Sequence, residues 1–153
     1  MASEESTAKG QMCWVEIPCA DIPRAISFYR NVLAWDTPDA GTPDATIPAQ
    51  NPGNAALHTF KTGHLQGAFI KMCDPSYVAK VADPIEPFKS SILPYYSVVD
   101  INETLAKVEK YGGKVHVPKT AIFDGKMGWF ARFIDSEGNL QGIWAQNDSP
   151  NPS

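Results

Sequence analysis

The sequence predicts an α+β protein built from two copies of one βαβββ unit. A Leu-Gln-Gly motif occurs twice, in GHLQGAFI (residues 63–70) and in GNLQGIWA (residues 138–145). Each motif follows the same order of segments: a short β-rich run, an amphipathic helical pattern and further β-rich runs. Because a repeated local pattern indicates a repeated structural unit, residues 12–73 are predicted as the first unit and residues 92–146 as the second.

The first unit begins with an apolar, β-rich run at residues 12–18, which predicts a strand. Asp21 then precedes a segment with helical period and is the predicted N-cap. The apolar face of this helix consists of Ile22, Ala25, Ile26, Tyr29 and Val32. Residues 36–55 hold four prolines and two glycines and predict a loop with a short strand inside. Two further strands, ALHTF and LQGAFIKM, are joined by a turn at KTGH.

The second unit repeats this order. The run ILPYYSVV (residues 92–99) predicts a strand, and Asp100 caps the helix that follows, with Glu103 completing a capping box. The buried stripe of this helix consists of Ile101, Leu105 and Val108, and the helix ends at Gly112–Gly113. KVHVP predicts the next strand, and WFARFI and LQGIWAQ predict a final hairpin around the turn DSEGN.

The remaining segments and the composition limit the function. Residues 74–91 are the predicted linker, and residues 1–11 and 147–153 are predicted as disordered tails of a single domain. The net charge of −4 without a basic block argues against nucleic acid as a partner. No apolar run approaches the roughly 20 residues that cross a bilayer, so no membrane partner is expected. Three cysteines without a CxxC pattern predict free thiols, which is typical of a cytoplasmic protein.

The motifs together resemble the vicinal oxygen chelate (VOC) superfamily of glyoxalase, bleomycin-resistance and dioxygenase-like proteins. EIPCADIPRAISFYRNVLAW resembles the first strand and helix of that family, VVDINETLAKVEKYGGKVHVPKT its second helix, and DSEGNLQGIW its last turn and strand. The resemblance covers residues 12–146. It implies the glyoxalase/bleomycin-resistance/dihydroxybiphenyl-dioxygenase fold, in which two βαβββ modules form a curled, cup-shaped mixed sheet with the helices outside. It also implies a homodimer, because related chains often pair their sheets across subunits.

Strand alternation predicts which side chains face that cup. In the first strand, Trp14 and Glu16 are expected in the cup, while the residues between them face the helix. In the last strand, Leu140, Gly142 and Trp144 are expected in the cup.

The resemblance also assigns positions for a divalent metal. Metal-dependent relatives hold the ion with one His or Glu from each of four strands, because such an ion prefers imidazole and carboxylate ligands. The equivalent positions here are Trp14, Leu93, Gly67 and Gly142, and none of them has a metal-binding side chain. No cofactor is therefore expected, and a divalent metal held by a different ligand set is the less favoured alternative.

Three side chains are candidates for acid–base chemistry. Glu16 is expected in the cup, and it could pair there with His58 or His116, since such groups beside an apolar wall can titrate near neutral pH. The alternative is that each is a hydrogen-bonded structural residue. His64 lies in a turn and is expected to be exposed.

Aromatic residues are the other candidates and predict one apolar cavity. The predicted lining consists of Trp14, Trp129 and Trp144, with Tyr95 or Tyr96. Gly67 and Gly142 are expected to enlarge the cavity, because they stand where relatives have larger side chains. The alternative is that these rings form ordinary core, as is expected for Trp35.

Four functions fit these features. The favoured one is a glyoxalase-like protein that lacks the usual metal ligands and binds a small apolar or aromatic molecule. The first alternative is a metal-independent lyase, isomerase or cyclase that uses Glu16 as its general acid–base. A structural module with a filled cup follows, and a metal-dependent glyoxalase-like lyase or dioxygenase with other ligands is the least favoured. The sequence leaves open whether the protein is an enzyme.

Overall fold

The computed structural model describes residues 9–49, 51–80 and 92–148. Its first unit consists of β1 (Trp14–Cys19), α1 (Ile22–Leu33), β2 (Thr46–Pro48), β3 (Asn54–Thr62) and β4 (Leu65–Met72). Its second unit consists of β5 (Tyr95–Ser97), α2 (Ile101–Lys110), β6 (Lys114–Ala121), β7 (Trp129–Ile134) and β8 (Leu140–Ala145). The predicted order of two βαβββ units is confirmed.

Each unit forms its own four-stranded mixed sheet. The strand order is β1-β4-β3-β2 in the first sheet and β5-β8-β7-β6 in the second. In both sheets the strand before the helix lies parallel to the last strand of its unit, and the other neighbours are antiparallel. No strand pair joins the two sheets within the described residues.

Both helices begin at an aspartate, as the sequence predicts. Asp21 Oδ1 accepts a hydrogen bond from the Arg24 amide at 2.9 Å, and Asp100 Oδ1 accepts one from the Glu103 amide at 3.0 Å. Each carboxylate thus satisfies an amide that the first helical turn leaves without a partner. The Glu103 carboxylate itself forms an ion pair with Lys107, 3.4 Å away on the exposed side of α2. The predicted apolar faces of both helices are buried: Ile22, Ala25, Ile26, Tyr29, Val32, Ile101, Leu105 and Val108.

The two units share one hydrophobic core. Trp35, which follows α1, stacks between Tyr29 and Phe60, with ring centroids 4.5 and 4.4 Å away. Its edge also contacts Tyr96 of the second unit at a centroid distance of 5.2 Å. Such aromatic pairs contribute about 0.5–1.5 kcal/mol each beyond their buried area. Trp35 is therefore a core residue that joins the two units, and its predicted structural role is confirmed.

The last hairpin turn of the second unit reaches across to the first helix. Glu137 accepts hydrogen bonds from the amides of Ala20 and Asp21 and from the Arg24 guanidinium, at 2.6–3.0 Å. Burial alone would raise the pKa of Glu137, but the hydrogen bonds from Arg24 and these amides outweigh burial and lower that pKa. The turn therefore ties the second sheet to the start of α1 with a charged carboxylate.

A buried aspartate in the same turn forms a second connection. Asp135 Oδ2 accepts a 2.6 Å hydrogen bond from the Tyr29 hydroxyl, which in turn accepts one from Gln141 at 3.0 Å. Burial raises the pKa of Asp135 above its usual value, although the bond from Tyr29 opposes that shift. Burial also raises the pKa of Tyr29 well above its usual value, so this hydroxyl stays protonated and can donate.

Some boundaries differ from the predictions. β5 covers only Tyr95–Ser97 of the run predicted at residues 92–99, and β6 continues beyond KVHVP to Ala121. A short 3-10 turn at Phe123–Gly125 was not predicted, and another lies at Pro75–Tyr77, inside the predicted linker. Residues 81–91 of that linker lie outside the described residues, as do residues 1–8 and 149–153 of the predicted tails. In the part of the chain that is described, no helix has the length and apolar character needed to cross a membrane.

Candidate functional site

One side of each sheet faces the shared core, and the other side, its open face, carries the exposed aromatic residues. Ile17 and Phe69 of the first sheet are buried in the core, whereas Trp14 on the opposite side of β1 is 42% exposed. In the second sheet, Tyr96 packs against the core, and its neighbour Tyr95 is likewise 42% exposed. The predicted alternation in β1 is confirmed, and each open face has a cavity of its own.

The cavity on the open face of the second sheet, the second cavity, has a volume of about 390 Å³. It is lined by Tyr95, Ile122, Phe130, Arg132 and Trp144. This volume lies within the range of small-molecule sites, and a mainly apolar lining with a few polar groups is typical of them. The indole of Trp144 is fixed in this wall, because its Nε1 donates a 2.9 Å hydrogen bond to the carbonyl of Met127.

Gly142 lies under this cavity and determines where Tyr95 sits. The two residues are register partners between β8 and β5. A Cβ atom added at Gly142 would lie 2.6 Å from the Tyr95 ring, closer than such atoms approach in proteins. The missing side chain does not enlarge the cavity directly; it lets the tyrosine ring lie over the strand.

The cavity on the open face of the first sheet, the first cavity, is smaller and more polar. Its volume is about 200 Å³, and it is lined by Trp14, Asp36, Pro38, Thr59, Phe60, Lys61, Gln66 and Gly67. Its lining contains charges of both signs, because both Asp36 and Lys61 belong to it. Backbone hydrogen bonds between these two residues hold them side by side at the edge of β3. It therefore offers less apolar area to a ligand than the second cavity does.

The structure divides the aromatic residues that were predicted to share one cavity. Trp14 lines the first cavity, whereas Tyr95 and Trp144 line the second. Trp129 lines neither: its ring lies against Gly125, with the Lys119 ammonium 5.7 Å from the ring centroid. Tyr96, the alternative to Tyr95, belongs to the core side, where its hydroxyl donates to Gln141 at 3.3 Å. The prediction of a single cavity is therefore wrong for one chain, because the two open faces are separate.

The predicted orientation of Gly67 is also wrong. Its register partners are Val15 and Phe60, and an added Cβ would lie 2.5 Å from the Phe60 ring on the core side. The open-face position beside Trp14 belongs to Gln66. Gly67 touches the first cavity, but its missing side chain makes room for a core ring and not for a ligand.

The register explains this error. Glu16 and Tyr95 each lie five residues before their capping aspartates, and their partners on the last strands are Ala68 and Gly142. The structural counterpart of Gly142 is thus Ala68, one residue after Gly67. A shift of one residue moves a side chain to the other face of a sheet, so the repeated Leu-Gln-Gly motif has opposite orientations in the two units.

The three candidate acid–base residues lie apart. Glu16 is on the open face of the first sheet, where its Oε2 accepts a hydrogen bond from Trp14 Nε1 at 3.3 Å. His58 is fully buried on the core side of the same sheet. Its Nε2 donates to the carbonyl of Pro38 and its Nδ1 accepts from the Thr46 hydroxyl, both at 2.7 Å. His58 therefore has the contacts of a structural residue.

His116 lies in the second sheet, at a register shift of β6 between Val115 and Val117. Its Nδ1 is buried and has no hydrogen-bond partner in the described part of the chain. No hydrogen bond connects either histidine with Glu16 among the described residues, so a catalytic role for these three side chains stays a prediction. Cys19 on β1 is buried, and burial raises the pKa of its thiol to about 12, which keeps that cysteine protonated.

The residues at the expected metal positions do not fit an ion. Trp14 and Leu93 have no metal-binding atom, Gly142 has no side chain, and Ala68, which replaces Gly67 at the open face, adds only a methyl group. Elsewhere in residues 9–49, 51–80 and 92–148, no three side chains of His, Cys, Asp or Glu come together as an ion would require.

The sequence analysis missed three residues of the second cavity, of which Arg132 matters most. Phe130 and Arg132 alternate along β7, and the register pairs Arg132 with Gly142 and Phe130 with Trp144. Pairing the strands WFARFI and LQGIWA across their turn would have placed both residues on the open face. Ile122 follows β6 in a segment for which no structure was predicted, so no pattern indicated it.

Comparisons with known proteins agree with this architecture. The profile of the Glyoxalase/Bleomycin resistance protein/Dioxygenase superfamily matches residues 11–142. A glyoxylase-like domain-containing protein of Didymella fabae is 29% identical over 143 residues, which cover 88% of this chain and 92% of the relative. A glyoxalase family protein from Bacillus cereus has a TM-score of 0.66 at 16% identity, covering 94% of this chain and 98% of that one.

A family enzyme from Burkholderia phytofirmans PsJN, described as a glyoxalase/bleomycin resistance protein/dioxygenase family member, is similar in structure as well. Its TM-score is 0.57 at 16% identity, with 88% of this chain and 97% of that chain covered. At such identities, these two structures support the fold alone.

Proposed function

Because the chain belongs to the Glyoxalase/Bleomycin resistance protein/Dioxygenase superfamily, we propose that it is a glyoxalase-like protein that binds a small apolar or aromatic molecule. The binding site is the second cavity. The observation that carries this proposal is the cavity of about 390 Å³ on the open face of the second sheet, with Tyr95, Phe130 and Trp144 in its wall. Aromatic rings offer a large apolar area and few rotatable bonds, so ordering them around a ligand costs little entropy.

Binding to this cavity is tested with naphthol as a neutral aromatic probe, titrated by calorimetry into the full chain. Trp144→Ala removes a wall of the second cavity and is expected to weaken binding at least about tenfold, as for a central aromatic contact residue. Trp14→Ala is the matched control, because this tryptophan is on the open face of the other sheet. It is expected to leave the affinity unchanged.

The result separates the competing functions. Loss of binding only in Trp14→Ala would move the site to the first sheet, next to Glu16, and would favour the acid–base alternative. If neither naphthol nor other aromatic probes bind the folded wild-type chain, the structural-module interpretation is the better one.

A homodimer that forms in the cytoplasm is part of the same proposal. The open faces expose large aromatic residues, and a second copy that covers one face would bury Trp14 or Tyr95, each now 42% exposed. Sedimentation velocity over a wide concentration range tests this assembly. A monomer at every concentration would contradict it without affecting the proposed cavity, which residues of one chain form.

A further inference from the structure

The second cavity contains one full charge in an otherwise uncharged lining. Arg132 is on β7, and its side chain contacts Phe130 of the same strand and Tyr95 of β5. The other lining residues are Ile122 and Trp144. No ion pair neutralises Arg132 within the described residues. Covering an unpaired cation with an apolar ligand has a desolvation cost, so a ligand that offers a negative charge to Arg132 is favoured over a neutral one of the same shape.

Two contacts hold the guanidinium in place. Arg132 Nε donates a 2.9 Å hydrogen bond to the Tyr95 hydroxyl, and the central carbon of the guanidinium lies 5.7 Å from the centroid of the Phe130 ring. The Tyr95 and Phe130 rings meet edge to face, with centroids 6.3 Å apart. These contacts use Nε and one face of the guanidinium. The two terminal nitrogens remain, and they form the pair of donors that a carboxylate accepts side by side.

We propose that the second cavity recognises the anion of a small aromatic acid, with the aryl group against Tyr95 and Trp144 and the carboxylate on the terminal nitrogens of Arg132. The proposal rests on the proposed function and adds the chemical class of the ligand. The carboxylate supplies the charge that Arg132 lacks, and the aryl group replaces water along the aromatic walls.

Gly142 is a positioning residue in this arrangement. Only a residue without a Cβ lets the Tyr95 ring lie over β8, because an added Cβ would be 2.6 Å from that ring. The position of the Tyr95 hydroxyl in turn fixes the direction of Arg132. A side chain at residue 142 would therefore affect acid recognition through two neighbours, without touching the ligand.

The first cavity does not have this property. Its lining contains the cation of Lys61 but also the anion of Asp36, so the two charges offset each other. Lys61 is consequently a suitable control: it is a cation on an open face that the proposal gives no role in binding.

The test compares two probes of one shape, naphthoate and its uncharged amide, naphthamide. Calorimetric titration of the full wild-type chain is expected to show naphthoate binding about tenfold or more tightly, since hydrogen bonds to a charged group are the stronger ones. Added salt is expected to weaken naphthoate binding more than naphthamide binding. Arg132→Gln is expected to bring the two affinities together by weakening naphthoate alone, and Arg132→Lys to restore part of the preference. Lys61→Gln is expected to behave like wild type.

Three outcomes overturn the inference. Equal binding of the two probes to wild type would leave the proposed aromatic site intact but would exclude acid recognition, and this result needs no variant to fold. An unchanged preference in Arg132→Gln, with its fold verified by circular dichroism, would place the anion elsewhere. Binding of neither probe would refute the proposed function itself, and the inference with it.

Discussion

The two Leu-Gln-Gly segments place the same three residues in opposite environments. In the first unit, Gln66 is exposed on the open face, and Gly67 lies on the core side under Phe60. In the second unit, Gln141 is only 4% exposed and contacts Tyr29 and Tyr96 in the core, whereas the glycine that follows it faces the second cavity. The repeat is real as a structural unit, but its motif is offset by one residue between the copies.

The length of the hairpin turn produces this offset. Phe60 and Gly67 are core-side partners seven residues apart in the first hairpin, and Phe133 and Gln141 are core-side partners eight residues apart in the second. Between these equivalent pairs the second hairpin has one residue more, which reverses the orientation of the side chains that follow the turn. A sequence repeat therefore locates the strands, while the pairing across the turn decides what each side chain faces.

The largest expected effect is that of an alanine in place of the first motif's glycine. Gly67→Ala would bring a Cβ to 2.1 Å from the carbonyl oxygen of Val15 and 2.5 Å from the Phe60 ring, so backbone and core both have to move. Such overpacking is expected to lower the free energy of unfolding by about 3 kcal/mol, measured by urea titration.

Gly142→Ala is the matched variant in the other unit. The three atoms nearest to its Cβ all belong to the half-exposed ring of Tyr95, which can turn away, so the loss of stability is expected to stay below about 1 kcal/mol. The displaced tyrosine should instead appear as weaker probe binding in the second cavity. Equal losses of stability in the two variants would contradict the opposite orientations described here.

A second contrast between the units concerns their histidines. His58→Leu would remove a fully buried imidazole, leaving the Pro38 carbonyl without its partner and the Thr46 hydroxyl with only its 3.5 Å bond to the Ala40 carbonyl. Unfolding free energy is expected to fall by about 2.5 kcal/mol, since unsatisfied buried polar groups are costly. His116→Leu is the comparison, because the buried Nδ1 of His116 has no partner among the described residues. A change below about 0.5 kcal/mol is expected there, and a larger loss would indicate a structural role for His116.

The sequence alone predicted the fold and the exposed position of Trp14 on the first sheet. Helical period, the two capping aspartates and the duplicated motif predicted the elements and their order, because these signals depend on local chemistry. Alternation along β1 correctly placed Trp14 on the open face, since β1 is short and regular.

The details of the site were not predictable in the same way. Which face a side chain is on depends on the pairing across a turn, and one extra residue between the equivalent pairs of the second hairpin gives Gly67 and Gly142 opposite environments. The two units pack together through core contacts such as those of Trp35 with Phe60 and Tyr96, and such tertiary contacts leave no periodic signal in the sequence. Arg132 was missed because one charged residue in an apolar strand indicates a binding site only after its neighbours are known.

The hairpin turn of the second unit connects to the start of α1 through Glu137, and Glu137→Gln tests how much this connection stabilises the protein. The amide keeps one oxygen for the backbone donors at Ala20 and Asp21 but loses the ion pair with Arg24. A loss of about 2 kcal/mol is expected at neutral pH, toward the lower end for buried charged hydrogen bonds because half of the Arg24 side chain is exposed.

The stability difference between wild type and Glu137→Gln is expected to shrink as the pH falls. The folded pKa of Glu137 is lowered, so its contribution to stability is present above the ordinary glutamate pKa and is lost as pH falls through the lowered value. The raised folded pKa of Asp135 acts in the opposite direction, with a contribution that is present at low pH and is lost as pH rises through the raised value. Both proteins contain Asp135, so the difference between wild type and Glu137→Gln isolates Glu137. A difference that does not shrink on acidification would show that its charge contributes nothing.

The smallest changes in stability are expected for the two tyrosines that form hydrogen bonds with Gln141. Tyr29→Phe removes a hydroxyl that donates to Asp135 at 2.6 Å and accepts from Gln141 at 3.0 Å, both in the buried core. Asp135 keeps its hydrogen bonds from the backbone and side chain of Asn139, so the expected loss is about 1 kcal/mol. Tyr96→Phe removes only a 3.3 Å contact to the other end of the same amide, and about 0.3 kcal/mol is expected. Urea unfolding of both variants and of the double variant measures whether the hydroxyls act through Gln141 together. Additive losses would mean that Asp135, and not a shared network, accounts for the importance of Tyr29.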